Sequence, residues 1–242
     1  MKVGILAAGE GSRLRASGIH LPKPLVPIGG VPLIGRVLQA LQPLGPEEIV
    51  CIINHRGTPV ADYVRQTYPH LPVTFVQQDT ASSYESFHVL CTHLRHTPFL
   101  VTTVDAIFPP GVLAAFVAAA RQQPAAAMTL SLTTFIDDEK PLYVRLDAHQ
   151  RLSHIGATAH GSPYVTSGLY YCAPCISTAC TALPPTQVSA LRAFLGWLQE
   201  HGYWLQAYLA PKMVDVDRPH DIAVAEQFVA SYALPEDASQ AP

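Results

Sequence analysis

The stretch Val3-Gly4-Ile5-Leu6-Ala7-Ala8-Gly9-Glu10-Gly11-Ser12-Arg13-Leu14, followed by Pro22-Lys23-Pro24-Leu25, decides how the chain is read. Val3 to Leu6 is an apolar run that reads as a buried strand, and small residues then replace it abruptly. Ala7, Ala8, Gly9 and Gly11 leave the backbone bare, so its N–H groups can approach a polyphosphate closely. Arg13 follows, and its guanidinium can pair bidentately with phosphate oxygens. Lys23 stands between two prolines, which fix the chain and limit where its ammonium can reach. A bare loop, an arginine and a constrained lysine make a site for a triphosphate and leave a cation for a second phosphate.

Two familiar glycine-rich loops fit badly. A dinucleotide fold requires G-x-G-x-x-G with an acid about twenty positions on. Here Leu14 stands where the third glycine should, and no acid follows before Glu47. A P-loop requires Lys-Ser/Thr directly after its last glycine, whereas Gly11 is followed by Ser12-Arg13. A solvent-facing glycine turn accounts for one half of the pattern, not for both halves in order.

What the stretch resembles is the signature of the sugar-phosphate nucleotidyltransferases, in a small single-domain form: an apolar strand, A-A-G-x-G-x-R-L as Ala7–Leu14, and P-K-P-L as Pro22–Leu25. The resemblance implies an α/β fold, a three-layer Rossmann-like mixed and mostly parallel sheet flanked by helices. It also implies nucleotide contacts from Leu6, Ala7, Ala8, Gly9, Gly11, Ser12 and Arg13, with Arg13 and Lys23 as catalytic cations.

The rest of the chain agrees with a compact protein. With 242 residues, 49% of them hydrophobic and 14% charged, it can bury a sizeable core and is not disordered. A net charge of −3 argues against a nucleic-acid or anionic-membrane surface. No apolar run reaches the length of a membrane span, and the first residues lack the pattern of a secretory leader, so a cytoplasmic location is expected. Five cysteines and eleven histidines are scattered. Cys172-Ala-Pro-Cys175 has C-x-x-C spacing, but no second pair completes a zinc site. It is read as following a strand without opening a helix, so its thiols are expected to be incidental.

Periodicity then orders the elements. A helix is expected over about 31–42, a strand over 48–53, a helix from Thr58 to about Tyr68 and a strand over 73–76. This alternation predicts a parallel sheet wrapped by helices. Ser82-x-x-Glu85 can form a capping box for the next helix. In the resembling family this region holds the nucleobase, which adds Gln77, Ser82 and Ser86 to the nucleotide contacts. On residue type alone, Gln77, Gln78 and Ser86 are equally ordinary polarity at a helix entry. Thr80-Ala81-Ser82-Ser83-Tyr84-Glu85-Ser86 departs from the family's Gly-Thr-Ala-Gly-like run toward a cytidylyltransferase-like branch, and the base stays open.

Phe99 to Asp105 reads as a buried strand ending in a carboxylate, at the edge where open parallel sheets bind ligands. By the resemblance Asp105 is a nucleotide contact and a Mg²⁺ ligand, and Asp215, in Met213-Val214-Asp215-Val216-Asp217, is the second metal carboxylate. Asp217 is read as a cap for the last helix, which Pro219 can open. Between these acids an Ala-rich helix from Pro110 and a strand near Met128–Leu132 precede the short strands 142–146, 152–155 and 164–172. About 135–185 is expected to build an acceptor-binding lobe within one domain of residues 1–230, with 231–242 as a flexible tail. Lys23, Lys140, Ser167 and Gly168 are its implied acceptor contacts, although solvated charge also explains Asp137–Lys140.

Together these parts imply a Mg²⁺-dependent transfer of a nucleotide from an NTP to a sugar 1-phosphate or similar phosphate monoester, with pyrophosphate leaving. A cytidylyltransferase for phosphocholine or another non-sugar phosphate is the alternative within the enzymes. A catalytically silent nucleotide-binding protein is the alternative of another class. The expected partners are the NTP and a small phosphorylated acceptor, with no nucleic acid and no membrane, and a homo-oligomer is left open.

Overall fold

The computed structural model describes residues 1–136 and 141–232. The acidic-basic run 137–140, with the expected acceptor contact Lys140, and most of the expected tail lie outside the described residues. In chain order the elements are β1 (Lys2–Ala7), α1 (Ser12–Ala16), β2 (Pro27–Ile28), β3 (Val31–Pro32), α2 (Leu33–Leu41), β4 (Glu48–Ile53), α3 (Thr58–Thr67), β5 (Val73–Gln77) and α4 (Ser83–Leu94). They continue with β6 (Phe99–Thr103), β7 (Ala106–Ile107), α5 (Val112–Arg121), β8 (Met128–Thr133), β9 (Tyr143–Leu146), β10 (Leu152–Ile155) and β11 (Tyr164–Cys172). The last are α6 (Cys175–Ala182), α7 (Leu191–Glu200), β12 (Leu205–Leu209), β13 (Val214–Asp215) and α8 (Pro219–Ala230).

The central sheet runs β5-β4-β1-β6 in parallel, as the alternation of strands and helices requires. β11 then joins β6 antiparallel and carries β8, to which β12 adds in parallel. The start of β11 also pairs with β9, and β10 closes that side antiparallel. The expected mixed, mostly parallel sheet is therefore present. Side chains alternate along β4: Ile49, Cys51 and Ile53 enter one core with α2, α3 and α5, while Val50 and Ile52 enter the other with α4, α6 and α7. A strand buried on both faces needs such an unbroken apolar run.

A third, smaller core of Leu14, Val26, Ile28, Leu33, Ile107, Val214, Val216 and Ala225 ties α1, the β2–β3 hairpin, the β7–β13 pair and α8 together. This core positions the site, because it brings the glycine-rich loop and the late acidic segment to the same sheet edge.

Two expectations are corrected. α6 begins at Cys175, so the C-x-x-C segment does open a helix. That helix is short and its amphipathic pattern is shallow, which hid it in the sequence. Cys172 is buried and Cys175 exposed, and burial pushes both thiols above the ordinary range, Cys172 the further. Asp217 does not cap α8. Arg218 holds the cap position, and Asp221, at the third residue of the helix, closes the capping box, its carboxylate accepting the N–H groups of Asp217 (2.8 Å) and Arg218 (2.7 Å).

Candidate active site

β1 ends at Ala7 and the loop Ala8–Gly11 crosses the carboxyl edge of the sheet. Gly11 has φ +58, a left-handed turn that starts α1, and a Cβ there would lie 3.1 Å from Lys23 Cβ. The glycine thus sets the loop directly against Lys23. Opposite the loop, β6 stops at Thr103, Val104 N–H donates to Leu6 O (3.1 Å), and the chain bends before β7. Asp105 sits in that bend. β7 pairs with β13, which places Asp215 opposite Ala106 and so beside Asp105.

Lys23 lies at the centre and is only 8% exposed. Its Nζ donates to Asp105 Oδ2 and to Asp217 Oδ1, each at 2.5 Å. Arg13 Nη1 reaches the other Asp217 oxygen at 3.2 Å. Burial opposes the charge on Lys23, but Asp105 and Asp217 outweigh it and hold its pKa above the ordinary lysine value. Burial likewise opposes ionisation of Asp105, and the Lys23 charge and hydrogen bond, with one from Thr103, carry its carboxyl below the usual range. Tyr170 is buried beside both metal candidates; burial first, then Asp215 and Asp105, push its hydroxyl up, so it remains a protonated phenol.

Two chambers open on this cluster. One of about 450 Å³ is lined by Leu6, Ala8 and Gly9 from the loop and by Thr80 to Ser83 and Ser86 at the start of α4. The other, about 210 Å³, is lined by Arg13, Ser167, Gly168, Asp215, Asp217 and Arg218. Thr103, Asp105, Leu142, Thr166, Tyr170 and Arg192 belong to both walls, so the chambers meet at Asp105. Gly168 makes the junction close: its φ is +79, β11 slips register against β8 there, and a Cβ would approach Thr103 Oγ1 to 2.6 Å.

The structure brings most expected residues together. Leu6, Ala8, Gly9, Ser82 and Ser86 line the first chamber, and Ser167 and Gly168 the second. Ser82 caps α4, accepting Glu85 N–H at 3.1 Å, while Glu85 accepts Ala81 N–H at 2.6 Å. Ser86 bonds Thr80 (2.6 Å), and Ser167 bonds Ser131 (2.5 Å). Ala7 faces a smaller cavity behind the loop, whose wall the Lys23 side chain shares. Ser12 opens α1. Gln77 lines neither chamber; its amide donates to His55 O (3.0 Å) beyond the end of β4.

Sequence reasoning read Asp217 as a cap and passed over Tyr170 and Arg192 as site residues. For Asp217 a signal existed. Val214 and Val216 are 1% and 0% exposed, and this period of two throws Asp215 and Asp217 together to the other side.

Asp105 and Asp215 are hard oxygen donors beside a phosphate-binding loop, a set suited to Mg²⁺. That ion typically takes one or two carboxylates and fills its remaining positions with water and substrate phosphate. Among the described residues no three His, Cys, Asp or Glu side chains form an all-protein metal cage. At Asp105 a cation is already accommodated, the Lys23 ammonium, which Asp105 shares with Asp217.

Comparison with known proteins shows what the chain is similar to. The chain is 30% identical over 234 residues, 95% of its length, to the bifunctional IPC transferase and DIPP synthase of Rubrobacter xylanophilus, and covers 52% of that protein. It is 30% identical over 126 residues to the CMP-5'-(3-aminopropyl)phosphonate synthase of Streptomyces rubellomurinus, covering 51% of this chain and 20% of that one. The chain thus spans about half the length, or less, of these relatives. Its fold superposes on the inositol-1-phosphate CTP transferase from T. maritima with a TM-score of 0.82 over 97% of both chains, at 19% identity. The profile of the MobA-like NTP transferase domain matches residues 3–165, which hold the glycine loop, Lys23 and Asp105. Because that profile matches about two thirds of the chain, the chain belongs to the family of MobA-like NTP transferase domains.

Proposed function

We propose that this protein transfers a nucleotidyl group from an NTP to a small phosphorylated alcohol, of the inositol- or sugar-phosphate kind, releasing pyrophosphate. The observation that carries this reading is the meeting of two chambers at Asp105, one walled by the bare loop and the other by Asp215 and the β11 bulge. The nucleotide would lie in the first, with Gly9–Ser12 amides and Arg13 toward its phosphates. The acceptor would enter the second, against Ser167 and Gly168. An oxygen of the acceptor phosphate attacks the α-phosphorus, a new P–O–P linkage forms, and the bond to the β-phosphate oxygen breaks with its electron pair leaving on pyrophosphate. The acceptor phosphate is already largely ionised near neutral pH, so no general base is needed. Asp105 and Asp215 would hold Mg²⁺, which when bound offsets the charge that gathers on the reacting phosphates. Tyr170, kept protonated, can donate a hydrogen bond at the junction.

The likeness to an inositol-1-phosphate CTP transferase and to a CMP-5'-(3-aminopropyl)phosphonate synthase directs the first assay toward CTP, and the second keeps a non-sugar acceptor in view. Pyrophosphate release with Mg²⁺ should be measured for each of the four NTPs against inositol 1-phosphate, sugar 1-phosphates, phosphocholine and 3-aminopropylphosphonate. Turnover with one pair is expected, reduced at least about 100-fold in Asp105→Asn. Full activity of that variant, or nucleotide binding with no pyrophosphate released from any pair, would overturn the reading. The second result would instead mark a nucleotide-binding protein without turnover.

A further inference from the structure

The glycine-rich loop is pinned from behind by a side chain that the reaction itself does not use. β1 and β4 pair in parallel with Ala7 opposite Ile53, so Asn54, one residue past β4, comes alongside Ala8. Its Nδ2 donates to Ala8 O (3.1 Å) and to Gly9 O (3.4 Å). Its Oδ1 accepts Arg56 N–H at 3.0 Å, which fixes the way round the amide sits. Turned over, it would set an oxygen against two carbonyls and an NH₂ group against an N–H. The turn that carries Asn54 is itself braced. Gly57 N–H donates to Asn54 O (2.9 Å), Gln77 at the end of β5 donates to His55 O (3.0 Å), and Asp79 accepts His55 N–H (2.9 Å).

We propose that Asn54 is a positioning residue that holds the loop with its N–H groups turned toward the triphosphate. This rests on the nucleotide reading of the larger chamber given above. A trans peptide is planar, with its C=O and N–H on opposite sides, and every peptide here is trans. Tying Ala8 O and Gly9 O to Asn54 therefore turns the N–H groups of Gly9 and Glu10 away from it. Asn54 lines the small cavity behind the loop, whereas Gly9 and Glu10 line both that cavity and the chamber in front. Among the described residues neither N–H has a protein acceptor. The two peptides flank Gly9, whose backbone could turn either of them over at little steric cost. Turned over, they would show carbonyl oxygens to a polyanion, and the Asn54 amide opposes that alternative. Gln77 then serves the nucleotide site from two steps back, as a brace of the turn 54–57.

The test is titration calorimetry of ATP, CTP, GTP and UTP, each with Mg²⁺, on the parent and on Asn54→Leu, which keeps the side-chain size and removes the amide. The NTP that the parent binds best should lose affinity about tenfold in Asn54→Leu. Asn54→Gln keeps the donor on a longer arm, with the rear cavity to take the added methylene, and should bind at least about threefold more tightly than Asn54→Leu. In the pyrophosphate assay, KM for that NTP should rise by a similar factor in Asn54→Leu while KM for the acceptor stays within about twofold, because Ala8 and Gly9 do not line the second chamber. Unchanged NTP affinity in Asn54→Leu overturns the proposal. So does a loss that Asn54→Gln does not relieve, or one shared equally by NTP and acceptor, either of which would make Asn54 a purely structural residue. Should Asn54→Leu not fold, Asn54→Ala is held to the same outcomes. A parent that binds none of the four NTPs would overturn both this proposal and the nucleotide reading beneath it, whereas a parent that binds one beside an indifferent Asn54→Leu sinks this proposal alone.

Discussion

Gly168→Ala should both destabilise the protein and spoil the junction of the two chambers. At φ +79 an L-residue pays about 1–2 kcal/mol for the left-handed conformation. The new methyl would also lie 2.6 Å from Thr103 Oγ1 and 3.2 Å from Ala106 Cβ. Overpacking of that kind adds about 1–3 kcal/mol, so the expected loss is ~2–5 kcal/mol in urea unfolding followed by circular dichroism. Thr103 and Ala106 flank the bend that carries Asp105, so relief of the clash moves that carboxylate, and pyrophosphate release should fall more than stability alone explains. Thr103→Ala in the same background removes the shorter contact and leaves the backbone term. The double variant should therefore recover part of the stability and retain a deficit of about 1–2 kcal/mol. A loss below about 0.5 kcal/mol in Gly168→Ala, with activity intact, would refute the reasoning, because neither strain nor overpacking could then be present.

Lys23→Met, measured in EDTA, should cost about 3 kcal/mol, the low end for a broken buried pair because Asp217 is 43% exposed. The pH dependence of that cost has a definite sign. Asp105 has its pKa lowered in the fold, so its share is present above the unfolded carboxyl value of about 3.9 and is lost as pH falls through the depressed folded value. Lys23 has its pKa raised, so its share is present below the unfolded value of about 10.4 and is lost only as pH rises through the folded one. The stability difference between parent and variant should accordingly be flat from about pH 5 to 9.5 and shrink on acidification; a difference that grows below pH 4 would contradict it. Thiol labelling offers a third check. Of the five cysteines only Cys175 is exposed, so Ellman's reagent should find one thiol in the native protein and five in urea. Rapid native labelling of Cys91 or Cys180 would mean that the core around α4 and α6 opens.

Much of the fold was legible because its local patterns were unambiguous. The strands 48–53, 152–155 and 164–172 begin and end where their apolar periodicity does. The Ser82 cap and Pro59 at the start of α3 announced their helices by residue type. α6 was missed because eight residues of small and mixed character give little periodicity. Asp105 was recognised at a strand end, although β6 stops two residues earlier and the bend, not the strand, aims the carboxylate. Asp217 was misread because a carboxylate just before a proline-initiated helix looks like a cap from local sequence. Its real partners are Lys23 and Arg13, and no local rule connects them.

By itself, then, the sequence determined the alternation of strand and helix, the bare loop with its arginine and lysine, and the acids at two strand ends. Those features are set by residue size, backbone freedom and a period of two or 3.6, all of which act over a few neighbouring residues. Only the tertiary structure decided which charges meet. Lys23 and Asp217 are 194 positions apart and touch because β7 pairs with β13 and the small core around Leu14, Ile107 and Val216 closes on them. That closure depends on the order of strands across the whole sheet. Pairing a buried ammonium with two acids is the condition on which the sheet edge can bury it at all.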